Sequence, residues 1–304
     1  MTSPLLAAEC RILPALVTPL TPGGQLDVAS AERLVDHLYQ SGVGGLYVTG
    51  STGEGIYLDG AIRKQIVEIA VSRSRGRGTV IVHVGAIQAS LAIELAEHAG
   101  QVGADAVSSI PPFAGGYTWD EVCCFYAELA RRSPVPVVAY YIPGLTGQQQ
   151  SIDNLARLLA IPNVAGFKFT EPNLFTLEQL IRRAGPDQIL YNGLDELLAL
   201  GMQMGAHGGI GTTYNVMPEL IVRIYRLGQA GRWSEAVALQ KQANAIIEPM
   251  LRFQMLAATK QILYWQGLID HTTCALPRAS LGEAQQRDLR ERLSGTAIEA
   301  TLIR

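Results

Sequence analysis

Short apolar runs alternate with longer amphipathic stretches from the start of the chain to about residue 225. The runs are ILPALVTPL (12–20), GLYVTGS (45–51), TVIVHVGA (79–86), AVSSIPP (106–112), VPVVAYYIP (135–143), VAGFKFT (164–170), QILYNG (188–193) and GGIGTT (208–213). They are rich in Val, Ile, Tyr or small residues, and most close on Gly, Pro, Ser or Thr, which is the pattern of buried strands ending at turns. Between them the apolar positions recur at helical spacing. In DVASAERLVDHLYQSG, Leu34, Val35 and Leu38 share a face and Gly42 marks the stop. SIDNLARLLA and the segment 59–74 read the same way.

A regular strand–helix alternation requires a parallel sheet covered by helices. Eight such units predict a (β/α)8 TIM barrel in the α/β class, spanning 1–230. The open doubly wound sheet is the competitor, but its glycine-rich dinucleotide turn is missing: LVTP is followed by LTPGG, without G-x-G-x-x-G spacing. From about 231 the strands stop. WSEAVALQKQANAIIEPMLRF, ATKQILYWQGL and EAQQRDLRERLSG predict a C-terminal helical extension over 231–304, an appendage of the same folding unit.

Composition narrows the picture a little. With 48% hydrophobic and 17% charged residues the chain can fill a large core, which excludes a disordered or coiled-coil protein. A formal net charge of −3 provides no basic field for nucleic acid. No run approaches membrane-spanning length and no secretory leader opens the chain, so the expectation is a cytoplasmic protein with no membrane partner. The four cysteines, Cys10, Cys123, Cys124 and Cys274, lack metal-ligand spacing, and His83 and His207 stand apart, so no metal site is expected.

Candidate chemistry begins with VAGFKFT. Alternation along a strand puts Val164, Gly166, Lys168 and Thr170 on one face, with Phe167 and Phe169 on the other, where rings suit a helix layer. Lys168 then points into the barrel near the strand's C-terminal end, where barrel enzymes place their sites. The other three lysines, Lys64, Lys241 and Lys260, fall in helical patterns with polar neighbours. A lysine at a strand end can snorkel to solvent. An amine held in the interior is instead the group that attacks a carbonyl to form a Schiff base. VTGSTGEG (48–55) reads either as a plain turn or as a turn whose free N–H groups, with Ser51 and Thr52, hold a small carboxylate. In AYYIPGLTG (139–147), one of Tyr140 and Tyr141 must face the lumen, as packing or as a proton relay beside the lysine. In NGLDELLALG, Asp195 and Glu196 are either a helix-opening acidic turn or acceptors for sugar hydroxyls. GGIGTT lies where barrels often bind phosphate, but with no basic neighbour hydroxyl contacts are favoured.

In this order the motifs GLYVTGSTGEG, AYYIPGLTG and GFKFT resemble the dihydrodipicolinate synthase / N-acetylneuraminate lyase family of class I pyruvate aldolases, over nearly the whole chain. YNGLDE and GGIGTTYN are most similar to its sialic-acid-cleaving branch. Leu145 stands where dihydrodipicolinate synthases usually carry an arginine, which argues against that activity. The resemblance implies reversible retro-aldol cleavage of N-acetylneuraminate to N-acetylmannosamine and pyruvate; the alternative is an aldolase or dehydratase acting on 2-keto-3-deoxy sugar acids. It implies Lys168 as the imine lysine, Tyr140 as the relay tyrosine and Ser51 as part of that relay. Ser51 and Thr52 would bind the pyruvate carboxylate; Thr170, Gly193, Asp195, Glu196 and Thr212 would bind the sugar hydroxyls. It further implies no cofactor, a small-molecule substrate (sialic acid, pyruvate) and a homotetramer. Ala114, Tyr141 and Glu171–Pro172 depart from the family pattern, with Tyr117 a possible substitute for the aromatic missing at Ala114.

Overall fold

A computed structural model describes residues 5, 8–113 and 115–303, so Ala114 lies outside the described residues. Eight parallel strands run β1 (Ile12–Pro14), β2 (Gly45–Val48), β3 (Thr79–His83), β4 (Ala106–Ser109), β5 (Val137–Tyr141), β6 (Val164–Phe169), β7 (Ile189–Asn192) and β8 (Gly208–Gly211). Their spatial order is β1-β8-β7-β6-β5-β4-β3-β2, and the Ala15–Tyr47 bridge beside β1 and β2 completes the circle. The fold is the expected TIM barrel. Each strand is shorter than its apolar run, because the run continues into the turn that leaves the barrel's C-terminal face.

The helices of the barrel layer are α1 (Val28–Gln40), α2 (Gly60–Ser74), α3 (Ala89–Val102), α4 (Trp119–Arg132), the single turn α5 (Pro143–Thr146), α6 (Ile152–Leu159), α7 (Leu174–Arg183), α8 (Leu198–Gln203) and α9 (Pro218–Gln229). Local sequence sets their starts. Asp27 accepts the Ser30 N–H at 3.1 Å to cap α1, and Thr118 with Glu121 forms a reciprocal capping box on α4; such caps contribute about 1 kcal/mol each. The inner faces bury Leu34, Val35 and Leu38 from α1 and their counterparts around the ring, at about 1.5–3 kcal/mol per large apolar side chain. A second, smaller core fills the lumen with Leu13, Tyr47, Ile81, Val138, Tyr140, Ile189, Tyr191 and Ile210. Three helices follow the barrel: α10 (Trp233–Met250), α11 (Met255–Trp265) and α12 (Glu283–Leu293).

Strand β6 departs from simple alternation. Val137 pairs with Val164 but Val138 pairs with Gly166, so Ala165 is the extra residue of a bulge. Val164 therefore packs with the outer core beside Phe167 and Phe169, while Ala165 packs against the lumen. The alternation read from sequence placed Val164 with Lys168; the bulge breaks that parity, and it holds only from Phe167 onward. Gly166 permits the kink. Its φ is +139° and a Cβ there would lie 1.7 Å from the Ile189 carbonyl oxygen, so no other residue fits. Beyond the bulge, Lys168 points inward.

Candidate active site

Lys168 is 4% exposed and lies at the C-terminal end of the lumen. Among the described residues its ammonium joins no ion pair. Its Nζ sits instead over two aromatic faces, 4.1 Å from the Tyr140 ring centroid and 4.4 Å from that of Tyr47, an arrangement that holds a cation by the ring quadrupole. Tyr140 is the cross-strand partner of Lys168 on β5. Tyr141, one residue on, turns outward, packs its ring 5.4 Å from Phe169 and accepts the Gln150 N–H. Tyr140 is thus the lumen-facing tyrosine of the pair.

Two further groups shape this floor. Tyr47 donates to Ser108 Oγ at 3.0 Å, and the His83 ring lies edge-on to Tyr140 with centroids 6.0 Å apart. His83 is saturated: Nδ1 bonds the Thr49 carbonyl at 3.1 Å, and Nε2 accepts the Ile110 N–H at 3.2 Å. Burial, with the Arg63 and Lys168 charges adding to it, pushes His83 down to about 3. It is a neutral wall of the site at physiological pH. The signal that could have found Tyr47 is the alternation that places Tyr140 inward, since Gly45 and Tyr47 share a strand face in GLYV. His83 carries no local signal of its position.

Above Lys168 opens a cavity of about 260 Å³. Its walls bring together Ser51, Thr52, Tyr140, Lys168, Thr170, Gly193, Asp195, Glu196 and Thr212, the full set that the sequence offered for catalysis and substrate binding. Thr52 and Thr212 share a 2.6 Å hydroxyl hydrogen bond that joins the turn after β2 to the turn after β8. No hydrogen bond among the described residues uses the N–H of Ser51 or Thr52 or the Ser51 hydroxyl, and both residues line the cavity. Thr170 Oγ1 is buried and has no hydrogen-bond partner among the described residues, which marks it as a group awaiting one. It lies against Gly193, where a Cβ would sit 1.9 Å from that oxygen.

Asp195 and Glu196 differ. The Asp195 carboxylate accepts both the Thr213 N–H at 2.6 Å and the Thr213 hydroxyl at 2.7 Å. Burial raises it to about 6, with the Thr213 hydrogen bonds opposing and Glu196 adding to the rise. One of its oxygens is therefore committed to the β8 turn. The Glu196 side chain has no such commitment. Helix α10 fixes the backbone of both: Gln240 donates to the Asp195 carbonyl at 3.0 Å and Asn244 to the Glu196 carbonyl at 3.2 Å.

The outer wall was not legible in the motifs. Ile142, Ile247, Leu251 and Met255 close the cavity with apolar surface, the last three from α10, α11 and the link between them. Tyr117 does not enter the cavity. It lines a separate groove with Ile87, Pro112 and Phe125. Glu171 accepts a 3.3 Å hydrogen bond from Gln149 at the rim.

Comparison with known proteins agrees over nearly the whole chain. The model of the dihydrodipicolinate synthetase family matches residues 8–296. The chain belongs to that family. The chain is 36% identical to the N-acetylneuraminate lyase of Citrobacter koseri over 280 residues, 92% of this chain and 94% of the relative. A structure of the Ruminococcus gnavus sialic acid aldolase catalytic lysine mutant superposes with a TM-score of 0.88 at 29% identity, covering 92% of this chain and 93% of that one. YagE, a dihydrodipicolinic acid synthase family protein from E. coli K12 solved in complex with pyruvate, superposes with a TM-score of 0.88 at 26% identity over 93% and 96%. Among the described residues no helix is long and apolar enough to cross a membrane.

Proposed function

We propose that this chain is a Schiff-base lyase, a class I aldolase that cleaves N-acetylneuraminate reversibly to N-acetylmannosamine and pyruvate. The observation that carries the reading is the position of Lys168: a buried amine with no carboxylate partner among the described residues, facing a polar-walled cavity, with Tyr140 as its neighbour across the sheet. The relatives named for cleavage of sialic acid, one of them described by its catalytic lysine, support the same choice.

The chemistry follows from these groups. The Lys168 amine attacks the C2 carbonyl of the open-chain keto acid, and loss of water leaves an imine. Ser51 and Thr52, with their N–H groups, hold the neighbouring carboxylate. Tyr140 takes the proton from the C4 hydroxyl as the C3–C4 bond breaks, and the electron pair of that bond moves through C3 to the protonated imine nitrogen, giving an enamine and the free aldehyde sugar. Protonation at C3 and addition of water then release pyruvate and the amine. Desolvation around Lys168 strengthens each of these interactions. Thr170, Gly193, Glu196 and Thr212 line the path of the sugar, and Asp195 contributes its uncommitted oxygen. The same proposal takes the enzyme as a cytoplasmic homotetramer, in keeping with its family.

The sugar half is tested separately from the pyruvate half. Assay of cleavage across sialic acids and 2-keto-3-deoxy sugar acids should favour the former; much faster turnover of the latter would transfer the site to the alternative substrate class while leaving the imine mechanism intact. Glu196→Ala should raise KM for the sugar acid more than it slows imine formation with pyruvate, and equal losses would remove Glu196 from sugar binding.

A further inference from the structure

The turn that carries Ser51 and Thr52 is bracketed by two residues in a backbone conformation that non-glycine side chains rarely adopt: Thr49 at φ +57° and Glu54 at φ +59°. Such conformations persist where the surroundings over-determine them. At Thr49 the hold is local, through its hydroxyl on the His83 carbonyl at 2.7 Å. At Glu54 it comes from the other end of the chain. The Glu54 carboxylate pairs with Lys260 of α11 at 2.5 Å, with both side chains fully buried. Its second oxygen accepts the Ala275 N–H at 2.6 Å, and Lys260 also donates to the Thr273 carbonyl at 2.5 Å. Neither Glu54 nor Lys260 lines the cavity, and the reaction above makes no use of them.

A buried ion pair is weak as a source of stability, because an apolar pair of similar size does as well or better. What it does supply is register, since each charge accepts only a narrow range of partner positions. The other anchor points repeat the theme. Gln240 and Asn244 of α10 hold the Asp195–Glu196 backbone, so the helices after the barrel reach the turns on both sides of the cavity.

We propose that Glu54 and Lys260 are positioning residues: the pair sets the conformation of the Ser51–Thr52 turn, and through it the affinity of the site for the substrate carboxylate. The helical extension is then a working part of the active site rather than a cover for the barrel. This rests on the reading of that turn as the carboxylate holder.

The test uses the full-length protein and measures borohydride trapping of pyruvate on Lys168 as a function of pyruvate concentration. The double variant Glu54→Gln/Lys260→Met removes both charges and leaves neither one buried alone. It should unfold within a few degrees of the native chain, and its trapping rate at saturating pyruvate should stay near native. Its half-saturating pyruvate concentration should rise about tenfold or more, within the roughly 10²-fold that a misplacement of an ångström can cost. A folded double variant with native half-saturation overturns the proposal. If the double variant does not fold, the native chain decides. By reciprocity, pyruvate should slow amide hydrogen exchange across 272–276, the segment bonded to the Glu54–Lys260 pair, and unchanged exchange there overturns the proposal equally. Absence of any trapping on native Lys168 would be a different failure, that of the proposed function itself.

Discussion

Two lysines are buried in this protein and their surroundings are opposite. Lys260 has everything a charge needs: a carboxylate, a carbonyl and complete enclosure. Lys168 has two aromatic faces, no carboxylate partner among the described residues and an open cavity above it. The first arrangement is closed, so its amine is a structural cation. The second opens on a cavity of about 260 Å³, the space in which the proposed reaction would seat its keto acid. Burial is common to both amines, and the open surroundings of Lys168 are what the proposed imine chemistry requires.

The largest break in the comparison is Lys168→Met. It should lower cleavage by roughly 10⁴-fold or more, the scale for loss of a nucleophile, while the thermal midpoint stays at or above native, because an uncompensated buried amine has been removed. Steady-state assay and calorimetry check the two halves. Next comes Tyr140→Phe, which should reduce turnover by about 10²–10⁴-fold, as for a lost general base, yet still allow pyruvate to be trapped on Lys168. Loss of trapping would show that Tyr140 serves imine formation rather than bond cleavage.

Lys260→Met reverses the pattern of Lys168→Met. It strands the Glu54 carboxylate, and breaking a buried pair in this way costs about 3–5 kcal/mol of stability, read as a fall in denaturation midpoint. The double variant with Glu54→Gln should recover most of that. The smallest effect concerns the buried Asp195 carboxylate. Asp195 is raised from 3.8 to about 6, so between those pH values the folded chain binds the proton more tightly than the unfolded one. Its contribution to stability therefore falls as pH rises through that window and stays low above it. Asp195→Asn should thus stabilise the protein by about 1–2 kcal/mol at pH 7–8 and bring no gain below pH 4, a difference that chemical denaturation at the two pH values measures.

Much of this was legible in the chain. Apolar runs of strand length between helical repeats announce eight units, since each strand of a parallel barrel is buried on both faces. Lys168, Tyr140, the Ser51–Thr52 turn and Asp195–Glu196 announce themselves because polar groups at strand ends have a direction set by the barrel. Two features escaped for physical reasons. The Ala165–Gly166 bulge depends on how β6 meets β5, which no single strand encodes. Lys260 sits between Thr259 and Gln261, whose polarity reads as a solvent-facing helix. In the structure both neighbours are buried too, since α11 is enclosed nearly all round, and the lysine's partner lies 206 residues away.

The central claim is that the open amine, and not the closed one, makes a covalent bond with a keto acid. Incubating the native protein with pyruvate and borohydride, then digesting and mapping the product, tests it most directly. One reduced adduct is expected, on Lys168, with Lys260 unmodified; no adduct, or an adduct on any other lysine in place of Lys168, would rule out Lys168 as the imine-forming amine.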